Sequence, residues 1–214
     1  MSHSTTAEPR GLGGLWSGGV NPYAIPYKKM GMWLFILSDS LTFGAALMCY
    51  AYLRVGSPNW PRPFTMSSIA LSTTMTMFLL SSSLTMVLAV HNANQGRRGA
   101  AARWIVATMI GGLAFMGLHL YEWNHLIHEG MTFSHNPWGS PMFGGTFFTI
   151  TGLHMFHVFT GVCYLGVIAA GFGGGKFEAM DVEVSGLYWH FVDLVWMFVF
   201  PLVYLLSVSM GGGH

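Results

Sequence analysis

Residues 142–170 read MFGGTFFTITGLHMFHVFTGVCYLGVIAA, a run without a single Lys, Arg, Asp or Glu. As an α-helix it would be about 43 Å long at ~1.5 Å per residue, more than the roughly 30 Å of bilayer hydrocarbon. It shows no ten-residue alternation of the kind that builds a membrane barrel, so a helix is the reading. Four other stretches share its character. Together they predict five spans, at approximately Met30–Leu53, Met66–Val90, Trp104–Ile127, Met142–Ala170 and Gly186–Met210. No Lys or Arg falls inside any of them, and three acids do: Asp39, Glu122 and Asp193.

Composition agrees. The chain has 214 residues, 52% hydrophobic and only 8% charged, where a soluble domain carries about 25% charged residues. That excludes a freely soluble enzyme and a disordered chain. A net charge of +1 leaves no basic surplus for phosphate binding, which excludes a nucleic-acid partner. The expected fold is all-α: a five-helix transmembrane bundle over residues 30–210, between an N-terminal segment, 1–29, and a tail, 211–214. The connectors Ser57–Pro63, Asn94–Gly99, His135–Pro141 and Gly173–Gly175 carry turn residues and are too short to hold an extramembrane domain. Gly211–Gly213 is expected to stop the last helix. The first thirty residues contain no apolar h-region, so no cleavable signal peptide is expected. Cys49 and Cys163 fall toward opposite membrane faces and predict no disulfide.

Seven basic residues (Arg10, Lys28, Lys29, Arg97, Arg98, Arg103 and Lys176) flank one side of the spans, against Arg54 and Arg62 on the other. The positive-inside rule then places the N-terminus in the cytoplasm and the C-terminus outside. Trp33, Trp60, Trp104, Trp138 and Trp189 lie at or near span ends and are expected to anchor in the headgroups.

An acid inside a bilayer is costly and by default a functional hypothesis. Asp39 falls near mid-depth, Glu122 near the outer end of the third span and Asp193 in the second turn of the fifth. Each is either protonated and hydrogen-bonded or paired with a histidine. His119, Glu122 and His125 recur loosely on one face. Glu122 and His125 make one Glu-x-x-His step, but a di-iron bundle needs two such steps and two further Glu residues, which the spans lack. His154 and His157 stand three apart on one helix, which does not supply two facing haem ligands. Trp189, Asp193 and Trp196 share a face, with His190 beside them, so the acid is expected between indole donors. The second span has no ionisable residue but many hydroxyls, including Ser72, Thr76, Ser82, Ser83 and Thr85. Helix packing is their expected use, with a polar substrate path as the alternative. Gly152 and Gly161 suggest a close helix contact.

At these residues a resemblance enters. Tyr188–Trp196, YWHFVDLVW, looks like the YWHFVDxVW signature of subunit III of haem–copper oxidases. Gly152–Gly161, GLHMFHVFTG, is similar to that family's GxHxxHVxxG segment. Trp33–Asp39 with Phe43 resembles its FxxSE helix, and Glu122-Trp123 falls where the family shows Glu and an aromatic. The motifs occur in family order from Met30 onward. Two departures are visible: Asp39 replaces the family's Glu, as also happens in the quinol-oxidase branch, and the first two of seven spans are missing, as in five-span bacterial members.

The resemblance implies a non-redox subunit of a proton-pumping terminal oxidase that reduces O₂ with electrons from cytochrome c. It would sit in a bacterial cytoplasmic membrane, packed on subunit I, with subunit II in the complex and a larger respiratory supercomplex as a further possibility. Haem and copper would reside in partner subunits and none in this chain, while an interhelical cleft would hold phospholipid. Asp39, Glu122, His154 and His157 would serve the lipid cleft or proton uptake, and Trp189, His190, Asp193 and Trp196 helix packing or a subunit interface. A quinol oxidase or a nitric-oxide-reductase-associated homologue belongs to the same class. A stand-alone proton-coupled transporter, with Asp39 as carrier, and a haem-binding anchor are the readings of other classes. The odd span count, the missing repeat and the histidine spacing speak against these two.

Overall fold

The computed structural model describes residues 26–208. Five helices follow one another: α1 Tyr27–Gly56, α2 Met66–Asn94, α3 Arg98–His128, α4 Met142–Gly173 and α5 Ala179–Val199. All five are long and apolar enough to cross a membrane. The described residues contain no sheet, only one isolated bridge between Phe64 and Val208. The five-helix bundle expected from the sequence is therefore present. The glycine stop at 211–213 and residues 1–25 lie outside the described residues.

Short connections force neighbouring helices to run antiparallel. Ser140 N bonds Asn59 O at 3.3 Å, tying the α1–α2 and α3–α4 connections together at one end. Gly139 sits there at φ +144°, and a Cβ on it would come within 2.7 Å of Asn59 O. Glycine alone among the residues fits both demands. α2 starts with Thr65 as cap, its hydroxyl accepting from Ser68 N. α5 starts with a capping box between Glu178 and Asp181.

The fifth span departs from expectation at both ends. Its helix begins at Ala179 rather than Gly186, because Asp181 and Glu183 are not at odds with helix there: they pair with Lys28 and Lys29 of α1, each at 2.6 Å. Asp193 is consequently about 21 Å from the helix start at ~1.5 Å per residue, near mid-bundle and not in a second turn. Trp189 moves inward with it and is 1% exposed, a core residue and no headgroup anchor. At the other end Pro201 supplies no N–H for an α-helical bond. The chain continues as a π-helical segment, Phe200–Tyr204, and a 3₁₀ turn, Leu205–Ser207.

α2 and α3 pack most extensively, α4 joins α3 and α5, and α1 stands at the edge against α5 and α4. Only 6% of the apolar window of α1 is buried, against 50% for the last span. Both its ends are fastened. Beside the two lysine pairs, Arg54 reaches Ser207 Oγ at 3.1 Å and Leu206 O at 2.5 Å, and Tyr50 meets the same Ser207 hydroxyl at 3.1 Å. Exposed ion pairs contribute only about 0–1 kcal/mol each, so they fix the position of α1 more than its stability.

Glycines make room for rings. The Trp189 indole lies in a slot between α3 and α4, where a Cβ on Gly112 would meet its ring at 2.5 Å and one on Gly161 at 3.1 Å. Gly152 similarly faces the Trp123 ring. The close contact expected of Gly152 and Gly161 is thus to an aromatic ring rather than to another backbone. Gly111 serves the backbone approach, with a virtual Cβ 2.6 Å from Ser82 Cβ. Gly112→Ala should cost about 1–3 kcal/mol through overpacking, read as a lowered thermal midpoint. Gly117→Ala, with nothing within 4 Å, should be neutral or slightly stabilising. Equal effects at the two positions would contradict the slot.

Candidate functional site: the polar interior of the bundle

A serine or threonine hydroxyl has one proton and two lone pairs. On a helix its proton goes readily to a carbonyl one turn back, which leaves the oxygen as an acceptor for a neighbouring helix. α2 uses this repeatedly. Thr76 donates to Ser72 O at 2.8 Å and accepts from Trp196 Nε1 at 3.0 Å. Ser82 donates to Leu79 O at 2.6 Å and accepts from Trp189 Nε1 at 3.0 Å. Ser83 lies 2.6 Å from His190 Nδ1. Toward α3, Thr85 and Thr108 meet hydroxyl to hydroxyl at 2.8 Å.

The expected frame of indoles around Asp193 is therefore absent: both indole N–H groups reach across to α2 hydroxyls. Asp193 is buried, and its Oδ1 has no hydrogen-bond partner among the described residues. Trp196 instead gathers aromatic rings. His154 stacks on it with centroids 5.0 Å apart, while Phe115 and His119 meet it edge-on at 4.8 and 5.6 Å. His119 and His154 are fully buried, and neither makes a hydrogen bond among the described residues.

The acids separate into distinct environments. Glu122, 3% exposed, takes Tyr204 Oη at 2.7 Å on Oε2 and has Ser72 Oγ 2.9 Å from Oε1. His119 Nδ1 stands 3.6 Å from Oε2. His125 turns outward and pairs loosely with Glu129 at 3.6 Å. Asp39 lies elsewhere, on α1, with its Oδ2 3.0 Å from His157 Nε2 of α4. The two are close without being aligned as a hydrogen bond. His157 Nδ1 is 2.8 Å from Leu153 O, so that nitrogen carries a proton and Nε2 is the one turned to the acid. Phe43 covers the imidazole edge-on at 5.2 Å, and Tyr188 Oη donates to His157 O at 3.0 Å. The structure brings Asp39 and His157 together, keeps Glu122 apart and gives His154 to the aromatic cluster.

Two largely apolar cavities border α1. One of about 270 Å³ lies against α5, between Phe43, Leu47, Phe191, Leu194 and Phe198. The other, about 500 Å³, lies against α4, where Cys49, Phe133, Met142 and Thr146 line it. Among the described residues no group of three or more His, Cys, Asp and Glu is placed to hold a metal ion. Cys49 and Cys163 are free thiols.

The profile of the family described as cytochrome c oxidase subunit III matches residues 18–208. The chain belongs to that family. The cytochrome c oxidase subunit 3 of Bacillus subtilis is 33% identical over 185 residues, covering 85% of this chain and 87% of the relative. The cytochrome bo(3) ubiquinol oxidase subunit 3 of Pseudomonas aeruginosa is 33% identical over 183 residues, covering 83% and 84%. A probable quinol oxidase subunit 3 of Staphylococcus aureus is 32% identical over 191 residues, covering 86% and 92%. The chain is a multi-pass membrane protein of the subunit III type of haem–copper oxidases.

Three residues central to this interior were not singled out as sites in the sequence: Tyr204, Ser72 and Thr76. For Tyr204 the available signal was Pro201 three residues earlier, which swings the following turn inward. The α2 hydroxyls were visible, but not which of them faced a donor. His157→Leu leaves the half-buried Asp39 carboxyl without the imidazole beside it and should cost about 0–1 kcal/mol, as for a partly exposed polar pair. Asp39→Leu together with His157→Leu should recover most of that loss. Thermal midpoints in detergent measure both, and equal losses would contradict the pairing.

Proposed function

We propose that this chain is the non-redox subunit III of a proton-pumping cytochrome c oxidase in a bacterial cytoplasmic membrane, packed on subunit I with subunit II in the complex and with its N-terminus inside. It binds no redox cofactor of its own, and haem and copper belong to the partner subunits. It steadies the catalytic subunit during turnover, holds phospholipid in its interhelical grooves and supports proton uptake through Asp39. Membership of the subunit III family over residues 18–208 carries the reading. The interior supports it, since half of its buried polar side chains, Ser72, Thr76, Ser82, Thr108, Glu122 and Ser207, join one helical element to another.

The residues divide the work. Asp39 and His157 form a partly exposed polar pair, side chains 17% and 13% exposed, where the lightly packed helix α1 meets α4. The grooves beside α1 are lined by the apolar side chains that acyl chains favour. Trp189, His190 and Trp196 hold α5 to α2. Cytochrome c as electron donor follows the name of the Bacillus subtilis relative. The Pseudomonas relative, equally identical over a similar length, favours quinol as the second reading.

A mild-detergent pull-down from the native membrane tests this, with optical spectra of the eluate and of the separated chain. Haem absorbance in the eluate, larger polypeptides beside the chain and a colourless separated chain are expected. Oxygen uptake by the eluate with reduced cytochrome c, and not with quinol, is expected for the donor. A colourless, monodisperse protein without partners would overturn the reading and favour a stand-alone transporter.

A further inference from the structure

Glu122 is used by nothing in that reading, yet its surroundings are specific. Thr76 and Ser82 of α2 give their single proton to their own helix and accept from a neighbour. Ser72 has the same helix bond, its Oγ lying 2.9 Å from Ser68 O. Its oxygen is also 2.9 Å from Glu122 Oε1. One hydroxyl proton cannot serve both acceptors well. If Ser72 behaves as its neighbours on α2 do, the proton between Ser72 and Glu122 belongs to the carboxyl.

On the other oxygen, Tyr204 Oη donates at 2.7 Å. A neutral carboxylic acid donates once and accepts on its carbonyl oxygen. With one proton on Oε1, every hydrogen bond in the chain Tyr204–Glu122–Ser72–Ser68 has one donor and one acceptor. Among the described residues no Lys or Arg pairs with Glu122. The titratable groups around it are His119, Tyr121 and His125 of α3, Glu129 just past its end and Tyr204 of the π-helical segment, while α2 brings hydroxyls and no titratable group. His119 touches no hydrogen-bond partner among the described residues and stands 3.6 Å from Oε2.

The carboxyl is not sealed. A cavity of about 270 Å³ reaches Glu122 from the bundle end where α3 closes, lined by Thr65, Ser67, Ser68, Tyr121, His125 and Glu129 among others. A water occupies roughly 30 Å³ in the liquid, so several fit, with hydroxyl, imidazole and carboxylate partners along the wall. We propose that Glu122 is a proton-binding site, carried as the acid between Ser72 and Tyr204, whose proton exchanges with the adjacent aqueous phase through this cavity. It is separate from the Asp39–His157 pair and opens at the end of the bundle bearing the α3–α4 connection. The ligand is the proton itself, delivered by water.

Infrared difference spectroscopy on the purified protein, with whatever partners it carries, tests this without any activity readout. Wild type minus Glu122→Gln should show the carbonyl stretch of a protonated carboxyl. In D₂O that band should shift while the protein stays folded, and Ser68→Leu, which narrows the cavity, should slow the shift. Should Glu122→Gln fail to fold, Tyr204→Phe provides the second handle: the same band should move as its accepted hydrogen bond is lost. A missing band shows an ionised Glu122 and overturns the proposal. So does a band unmoved by Tyr204→Phe, or one that exchanges only on unfolding.

Discussion

Apolar helix faces gain little by leaving lipid for one another, because lipid tails are as apolar as leucine. Specific association must then come from close packing and from polar groups that hydrocarbon cannot satisfy. In this bundle α2 supplies the second kind. Its hydroxyls return their protons to their own backbone and offer lone pairs outward, and the donors that answer are the indoles of Trp189 and Trp196. Two such bonds fix α5 against α2 in depth and in rotation. With the helix start at Ala179 and the break at Pro201, they set the position of Asp193 near mid-bundle and the entry of Tyr204 into the core.

Close packing supplies the other kind, and glycine is its instrument. Gly112 and Gly161 leave the width of an aromatic ring between α3 and α4, and the Trp189 indole fills it. The same indole therefore touches three helices by contact and hydrogen bond. α1 lacks comparable links. It is fastened at its two ends by Lys28, Lys29 and Arg54, and in its middle by Asp39 and the ring of Phe43. The grooves on either side of α1 are a consequence of that sparse attachment. A helix held at its ends over apolar grooves suits a surface that lipid or another subunit completes.

The five spans were legible because each is a long apolar run, and length alone decides that reading. The start of α5 was not, since Asp181 and Glu183 look like loop residues until their lysine partners on α1 are known. Pro201 gave a visible sign of a broken helix, but only the fold shows that the break delivers Tyr204 to Glu122. Asp39 was recognisable as a group needing a partner, and a histidine on an adjacent helix was among the partners foreseen. Helical periodicity put Trp189 and Trp196 on the face of Asp193, yet their indole N–H groups reach the hydroxyls of the next helix. Periodicity tells which side a residue is on; it does not tell how far the side chain reaches.

A double-mutant cycle on Thr76→Val and Trp196→Phe measures the α2–α5 bond directly. Each change removes one partner of that bond together with contacts of its own, Thr76 to Ser72 O and Trp196 to its ring neighbours. The difference between the double and the summed single effects cancels those and isolates the bond. Hydrogen bonds between membrane helices have coupling energies averaging about 0.6 kcal/mol and reaching about 1.7 kcal/mol. A favourable coupling in that range is expected here. A coupling of zero would mean that the hydroxyls of α2 are bystanders and that packing alone holds the bundle.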